Sequence, residues 1–207
     1  MAKGNKLAGR IVADEIDVRY AFSGKIAVVK KRTGDVVKRG EVLAALDSKL
    51  LQMELDVQLA DYERTRAEFE IFGKRNTGQD DQTNFLRKIE QAQLNASVKE
   101  VELAKAKMDQ VVLISPVSGI ILDDGGNRVG LNASPASNDY KILDTDSKRF
   151  RIELDEAIDL KDITVKIGEK EYTGEIGVIR PDGNGFVVDV NLGDYSDLIV
   201  GMKGEVK

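Results

Sequence analysis

The 207-residue chain contains no cysteine and no histidine. These two absences remove zinc fingers, thiolate nucleophiles, iron–sulfur ligation, Ser-His-Asp triads and imidazole acid–base chemistry together. The chemistry that remains would use carboxylates, lysine or tyrosine, and no constellation of these stands out. Tryptophan is missing and aromatics make up 5% of the residues, so cores must be aliphatic and thin, although a 42% hydrophobic share suffices to build them. The net charge is −5, and no Lys/Arg block is interleaved with aromatics, which argues against a nucleic-acid partner. No stretch approaches the roughly 18 apolar residues of a spanning helix. Met1-Ala2-Lys3-Gly4-Asn5-Lys6 leads into no apolar signal segment, so the sequence as it stands reads as soluble and without an export signal. The lack of cysteine fits oxidising and reducing compartments equally.

What is present divides by periodicity. Between Gly9 and Tyr20, Ile11, Ile16, Val18 and Tyr20 fall mostly on alternate positions among Asp14, Glu15, Asp17 and Arg19, the pattern of one half-buried strand. Short β-branched runs follow from Phe22 to Asp47, punctuated by Gly24, Gly34 and Gly40, with room for three or four small strands. From Ser48 to about Phe72 glycine and proline vanish, and Leu55, Leu59, Tyr62 and Phe69 predict an amphipathic helix capped by Ser48 or Asp47. Gly73-Lys74-Arg75-Asn76-Thr77-Gly78 should stop it near Gly73, with the asparagine free to turn left-handed. A second helix is expected from roughly Asp81 to Val112. It has one apolar row through Phe85, Ile89, Ala92, Ala96, Leu103 and Ala106, and another through Leu94, Val98, Val101, Met108 and Val112. Two helices joined by a short polar turn predict an antiparallel hairpin, about 37 Å long for 25 residues. Strand composition returns at Leu113. The candidate strands Phe150–Leu154, Ile163–Ile167, Tyr172–Ile179, Phe186–Asn191 and Lys203–Val206, separated by Gly168, Pro181-Asp182-Gly183-Asn184-Gly185 and Gly201, suggest a small antiparallel barrel.

An internal repeat goes beyond this count. Ser23-Gly24-Lys25-Ile26 and Ser118-Gly119-Ile120-Ile121 open two similar segments, which close on Leu46-Asp47 and Leu143-Asp144. Self-similar halves flanking a helical pair imply one β-domain split by an insertion, and the halves must meet because neither alone can bury a core.

The first of these segments, through Gly34-Asp35-Val36-Val37-Lys38-Arg39-Gly40-Glu41-Val42-Leu43, resembles the first lipoyl half-motif of the periplasmic adaptor (membrane fusion) proteins of efflux pumps and type I secretion systems. Ser115-Pro116-Val117-Ser118-Gly119 is similar to the family's entry into the second half, Phe150 through Asp155-Glu156-Ala157 to the first strand and bend of its β-barrel, and Gly201-Met202-Lys203-Gly204-Glu205-Val206 to its closing strand. The resemblance covers about residues 9 to 206. It implies an α+β, mostly β chain: an N-terminal strand joining the barrel (9–20), a split lipoyl-like domain (21–47 and 113–146), an inserted α-helical coiled-coil hairpin (48–112) and a small antiparallel β-barrel domain (147–207). It also implies a non-enzymatic adaptor on the extracytoplasmic face of the cytoplasmic membrane. Such a subunit, self-associated in a ring and commonly hexameric, would couple an inner-membrane transporter of ABC or RND/MFS type to an exit path. The alternatives are a lipoyl- or biotin-type carrier with a helical insert, and a coiled-coil scaffold with no transport role.

No cofactor, metal or catalytic residue is expected. Lys49, the lysine nearest a carrier position, falls in the first turn of the helix and reads as a solvated side chain. Gly125-Gly126-Asn127-Arg128-Val129-Gly130 lacks the Lys-Ser/Thr of a phosphate loop and reads as a turn. Asp123 with Asp124, and Asp144 with Asp146, lack a calcium-loop frame. The candidate docking residues are those of the hairpin tip, Gly73, Lys74, Arg75, Asn76, Thr77 and Gly78, polar and held at the end of a lever. Between Tyr62 and Asn84 there is no Leu or Ser, whereas family members that meet a TolC-type outer-membrane channel carry an Arg, Leu and Ser pattern at the tip. That departure argues against such a channel as the partner.

Overall fold

The computed structural model describes residues 7–78, 80–137, 139–154, 163–183 and 185–206. The expected bend at Asp155-Glu156-Ala157 and the leading residues 1–6 lie outside them, as does Asn184. The described residues form two α-helices set in an otherwise β structure.

The expected single strand from Gly9 to Tyr20 is in fact two. The apolar phase shifts between Ile11 and Ile16, and the chain breaks there into β1 (Ala8–Val12) and β2 (Glu15–Val18), which join different sheets. The reason is local: Asp14 N–H donates to Ser147 Oγ and its carbonyl accepts from Asp144 N–H, both at 2.8 Å, so its backbone is spent on a crossover. Only β1 enters the barrel.

Eight short strands form a sandwich. They are β2, β3 (Gly24–Val29), β4 (Val36–Val37), β5 (Val42–Leu46), β6 (Val112–Ile114), β7 (Gly119–Asp123), β8 (Asn132–Ala133) and β9 (Tyr140–Asp144). Their orders are β2-β9-β7-β4 and β6-β5-β3-β8. Exchanging β2 with β6, β9 with β5, β7 with β3 and β4 with β8 converts one order into the other. The internal repeat is therefore a pseudo-twofold in space, and each sheet is built from strands of both halves. Even the irregularities correspond, for the ladders slip just after Ile26 on β3 and just after Ile121 on β7. Ile26, Val37, Leu43, Leu46, Ile121, Tyr140 and Ile142 share one buried core. Gly34 and Gly40 turn with φ of 92° and 83°, values that a Cβ disfavours, as expected of tight turns at those positions.

The remaining strands close a six-stranded antiparallel barrel in the order β1-β10-β13-β12-β11-β14. They are β10 (Arg149–Leu154), β11 (Ile163–Ile167), β12 (Lys170–Asp182), β13 (Gly185–Asn191) and β14 (Lys203–Val206). β12 runs past the expected end at Ile179, with Pro181 still opposite Phe186, because the turn into β13 is shorter than its glycines suggested. Alternation puts Phe150, Ile152, Leu154, Val188 and Val190 inside and Arg149, Arg151 and Asp189 outside. Closure is made by β1 against β14, with Gly9 opposite Gly204.

Candidate functional site

Helices α1 (Lys49–Arg75) and α2 (Asp81–Asp109) project from the sandwich between β5 and β6. They run antiparallel: Lys107 Nζ donates to Glu54 Oε1 at 2.6 Å near the base, and Arg87 Nη2 to the Asn76 carbonyl at 3.2 Å at the tip. At 1.5 Å per residue the longer helix reaches about 43 Å. α2 ends earlier than Val112, because Val112 pairs with Ala45 and starts β6. At the start of α1, Ser48 makes no side-chain cap; Asp47 Oδ1 accepts the Lys49 N–H at 3.0 Å instead.

The expected tip residues lie together but not all in a loop. Gly73, Lys74 and Arg75 form the last turn of α1, which therefore runs past the predicted stop at Gly73. Gly73 does not adopt positive φ, so nothing in its backbone ends the helix. Asn76 ends it with φ of −116°, not left-handed, its backbone N–H and side-chain Nδ2 both donating to the Phe72 carbonyl. Thr77 and Gly78 are exposed. Asp80 then caps α2 by accepting from Thr83 N–H at 2.9 Å and Thr83 Oγ1 at 2.8 Å, bonds that hold its carboxyl below the usual range. A glycine inside an exposed helix costs about 1 kcal/mol against alanine. A Cβ on Gly73 would meet nothing within 4 Å, so Gly73→Ala should stabilise the hairpin by about 0.5–1 kcal/mol, read as a higher melting point of the helical circular-dichroism signal.

The two apolar rows of α2 have different fates. Val101 and Ala104 are buried, and Leu94, Val98 and Met108 half-buried, so that row faces α1, where Leu51, Leu55, Leu59, Tyr62, Phe69 and Phe72 are half-buried. The row through Phe85, Ile89 and Leu103 points to solvent, with Phe85 64% exposed. α1 carries a matching outward row of Leu50, Met53, Val57 and Ile71, with Leu50 80% exposed. Both rows have helical spacing; what separates them is that a lone helix pair buries only one stripe per helix. Near the tip an open groove of about 520 Å³ is lined by Phe69, Phe85, Asn84, Arg87, Lys88 and Gln91, and Lys88 Nζ stands 5.6 Å from the Phe85 ring centre.

The other sequence candidates are structurally engaged. In the Gly125–Gly130 turn, Gly125 N–H donates to Asp123 Oδ1 and Gly126 N–H to Asp124 Oδ1, so side chains of the turn already take the amides a phosphate would need. Asp144 Oδ1 accepts from Asp146 N–H and caps a short 3-10 turn, Thr145–Ser147. Burial pushes the Tyr20 phenol up to about 12, and its hydroxyl donates to Asn127 Oδ1. Among the described residues no three acidic side chains are grouped to hold a metal, and no helix is long and apolar enough to cross a membrane.

The whole arrangement, barrel, sandwich and inserted hairpin, has solved counterparts. The membrane fusion protein Spr0693 from Streptococcus pneumoniae R6 matches with a TM-score of 0.76 at 16% identity, over 97% of this chain and 99% of that one. The fold is that of membrane fusion proteins. A putative efflux transporter from Bacteroides eggerthii DSM 20697 matches with a TM-score of 0.73 at 18% identity, over 98% of this chain and 67% of that one. A MacA-MexA chimeric protein containing the Pseudomonas aeruginosa MexA α-hairpin domain gives 0.72 at 19%, over 97% of this chain and 78% of that one. No family model matches the sequence, and no curated protein does. The membrane-fusion-protein fold is thus carried by a sequence far from those of its structural neighbours.

Proposed function

We propose that this chain is a non-catalytic adaptor that assembles side by side into a ring and couples an inner-membrane transporter, of ABC or RND/MFS type, to an exit path on the extracytoplasmic side. The sandwich is read as a lipoyl-like domain in which the hairpin occupies the place of the carrier lysine. The observation that carries the proposal is the pair of outward apolar rows on the hairpin. On α1, Leu50, Met53, Val57, Ala60, Ala67 and Ile71 repeat in steps of three, four and seven; on α2, Phe85, Ile89, Ala92, Ala96, Leu103 and Ala106 do the same. Such spacing is a second coiled-coil seam on each helix.

At 100° per residue each outward row lies roughly 165° round its helix from the inner seam. Because the helices are antiparallel, the two rows fall on opposite edges of the hairpin and cant toward the same side. Hairpins set side by side along these rows would form the wall of a tube. The tip residues Lys74, Arg75 and Thr77 would then line one rim of the tube, placed to dock the next component.

The test is self-association. The intact chain should sediment as a closed oligomer, and Val57→Asp combined with Leu103→Asp should convert it to a monomer with unchanged helical content. A parent chain that stays monomeric at every concentration reached would sink the ring.

A further inference from the structure

The sandwich and the barrel share no strand and no core residue, and the chain passes between them twice, at Ala13-Asp14 and at Thr145–Lys148. Two adjacent connectors alone would act as a hinge. Here they are tied to each other and to the barrel wall. Asp14 N–H donates to Ser147 Oγ, and Arg149 Nη1 to the Ser147 carbonyl at 3.1 Å. Arg149 then reaches both ways, with Nη2 2.6 Å from Asp14 Oδ1 on the first connector and Nε 3.1 Å from Asp189 Oδ2 on β13. Lys148 Nζ adds bonds to the Tyr195 and Leu198 carbonyls of the loop before β14.

Asp189 is a firm anchor. Its side chain is 12% exposed, set among Arg149, Arg151 at 2.8 Å and Arg180 at 2.5 Å. Burial raises its carboxyl, but the hydrogen bond and charge of Arg151 with the charges of Arg149 and Arg180 outweigh that and hold it below the usual range. The hydrogen bond from Arg149 does the same for Asp14. Both acids are ionised wherever the protein is folded near neutral pH. Half-buried, multiply bonded guanidinium–carboxylate pairs are directional, so they fix an angle as well as a distance.

We propose that Asp14, Arg149 and Asp189 form a latch that holds the barrel at a set angle to the hairpin-bearing sandwich, and that opening the Asp14–Arg149 pair lets the barrel swing about its two connectors. Arg180 touches the anchor and not the connector, so it belongs to the barrel wall. The latch stands on this geometry and does not depend on the adaptor reading.

Because the chain has no cysteine, two introduced ones report cleanly. Lys141→Cys on β9 and Lys166→Cys on β11 are both exposed, and spin labels there give the sandwich-to-barrel distance distribution of the whole chain by pulsed electron resonance. The parent should give one narrow peak. Asp14→Asn and Arg149→Gln should each broaden it about twofold, and the two together no further than either alone. Arg180→Gln should leave the width unchanged. An unchanged width in Asp14→Asn, or equal broadening by Arg180→Gln, would overturn the latch. Should Arg149→Gln disturb the barrel itself, seen in its melting curve, Asp14→Asn decides alone, since Asp14 lies outside the barrel strands.

Discussion

Gly119→Ala should destabilise the sandwich by about 3 kcal/mol, while the same change at its pseudo-twofold mate, Gly24, should cost less than about 1 kcal/mol. Both glycines open a strand after a serine, and by sequence they are equivalent. Their surroundings are not. A Cβ on Gly119 would lie 2.0 Å from the Leu143 carbonyl oxygen and 2.9 Å from its carbon, and the β9 backbone, paired with β2 on one side and β7 on the other, cannot step aside. A Cβ on Gly24 would meet Leu46 Cδ1 at 3.2 Å, the mobile end of a side chain. Neither glycine needs positive φ, so crowding alone separates them. Native-state hydrogen exchange reads the difference as lost protection of the β7 and β9 amides in Gly119→Ala, with the barrel amides unaffected. Equal losses in the two variants would mean that the β7–β9 ladder relaxes more readily than its geometry allows.

Phe150→Ala should cost the barrel about 3–5 kcal/mol, the usual range for truncating a buried phenylalanine. Phe150 is fully buried, and its ring lies where the side chains of two residues are missing. Its Cζ is 2.6 Å from the Cβ position of Gly9 and its Cε2 2.9 Å from that of Gly204. These glycines face each other across the β1–β14 seam, so one aromatic ring fills the gap at the place where the sheet meets itself. Removing it leaves a void between two residues that have no side chain to collapse into it. Loss of protection should therefore begin at β1 and β14. Uniform weakening of all six strands would show that the seam is not the weak line.

Periodicity carried the sequence reading where a pattern has one physical cause. Alternation and turn residues found the barrel strands Ile163–Ile167 and Lys203–Val206 at their observed limits, and the Ser-Gly repeat found the two interlocked halves. It failed where tertiary contacts decide. The odd-to-even shift from Ile11 to Ile16 marks a break, but a phase shift alone does not separate a bulge from a change of sheet; the hydrogen bonds of Asp14 to Ser147 and Asp144 do. Gly73 looked like a helix stop, but an exposed glycine is tolerated mid-helix and Asn76 carries the cap. The Phe85 row satisfies the same spacing rule as the buried row through Val101, and spacing cannot say which of two stripes a single partner helix will cover. Gly9 and Gly204 are far apart in sequence, and nothing local marks them as two sides of one seam under Phe150.

The connectivity of the barrel also sets an order of events during synthesis. β1 pairs with β14 across the intervening sandwich and hairpin, so the barrel cannot close until the ribosome has delivered Val206. The sandwich must likewise wait for β9, the entire hairpin being translated between its halves. α1 and α2 pack on each other across a short turn, and such local contacts form fastest. The nascent hairpin, with its outward rows of Leu50, Val57, Phe85 and Ile89, can therefore fold and stand uncovered before β6 to β9 complete the sandwich. That interval is when the chain most needs a chaperone.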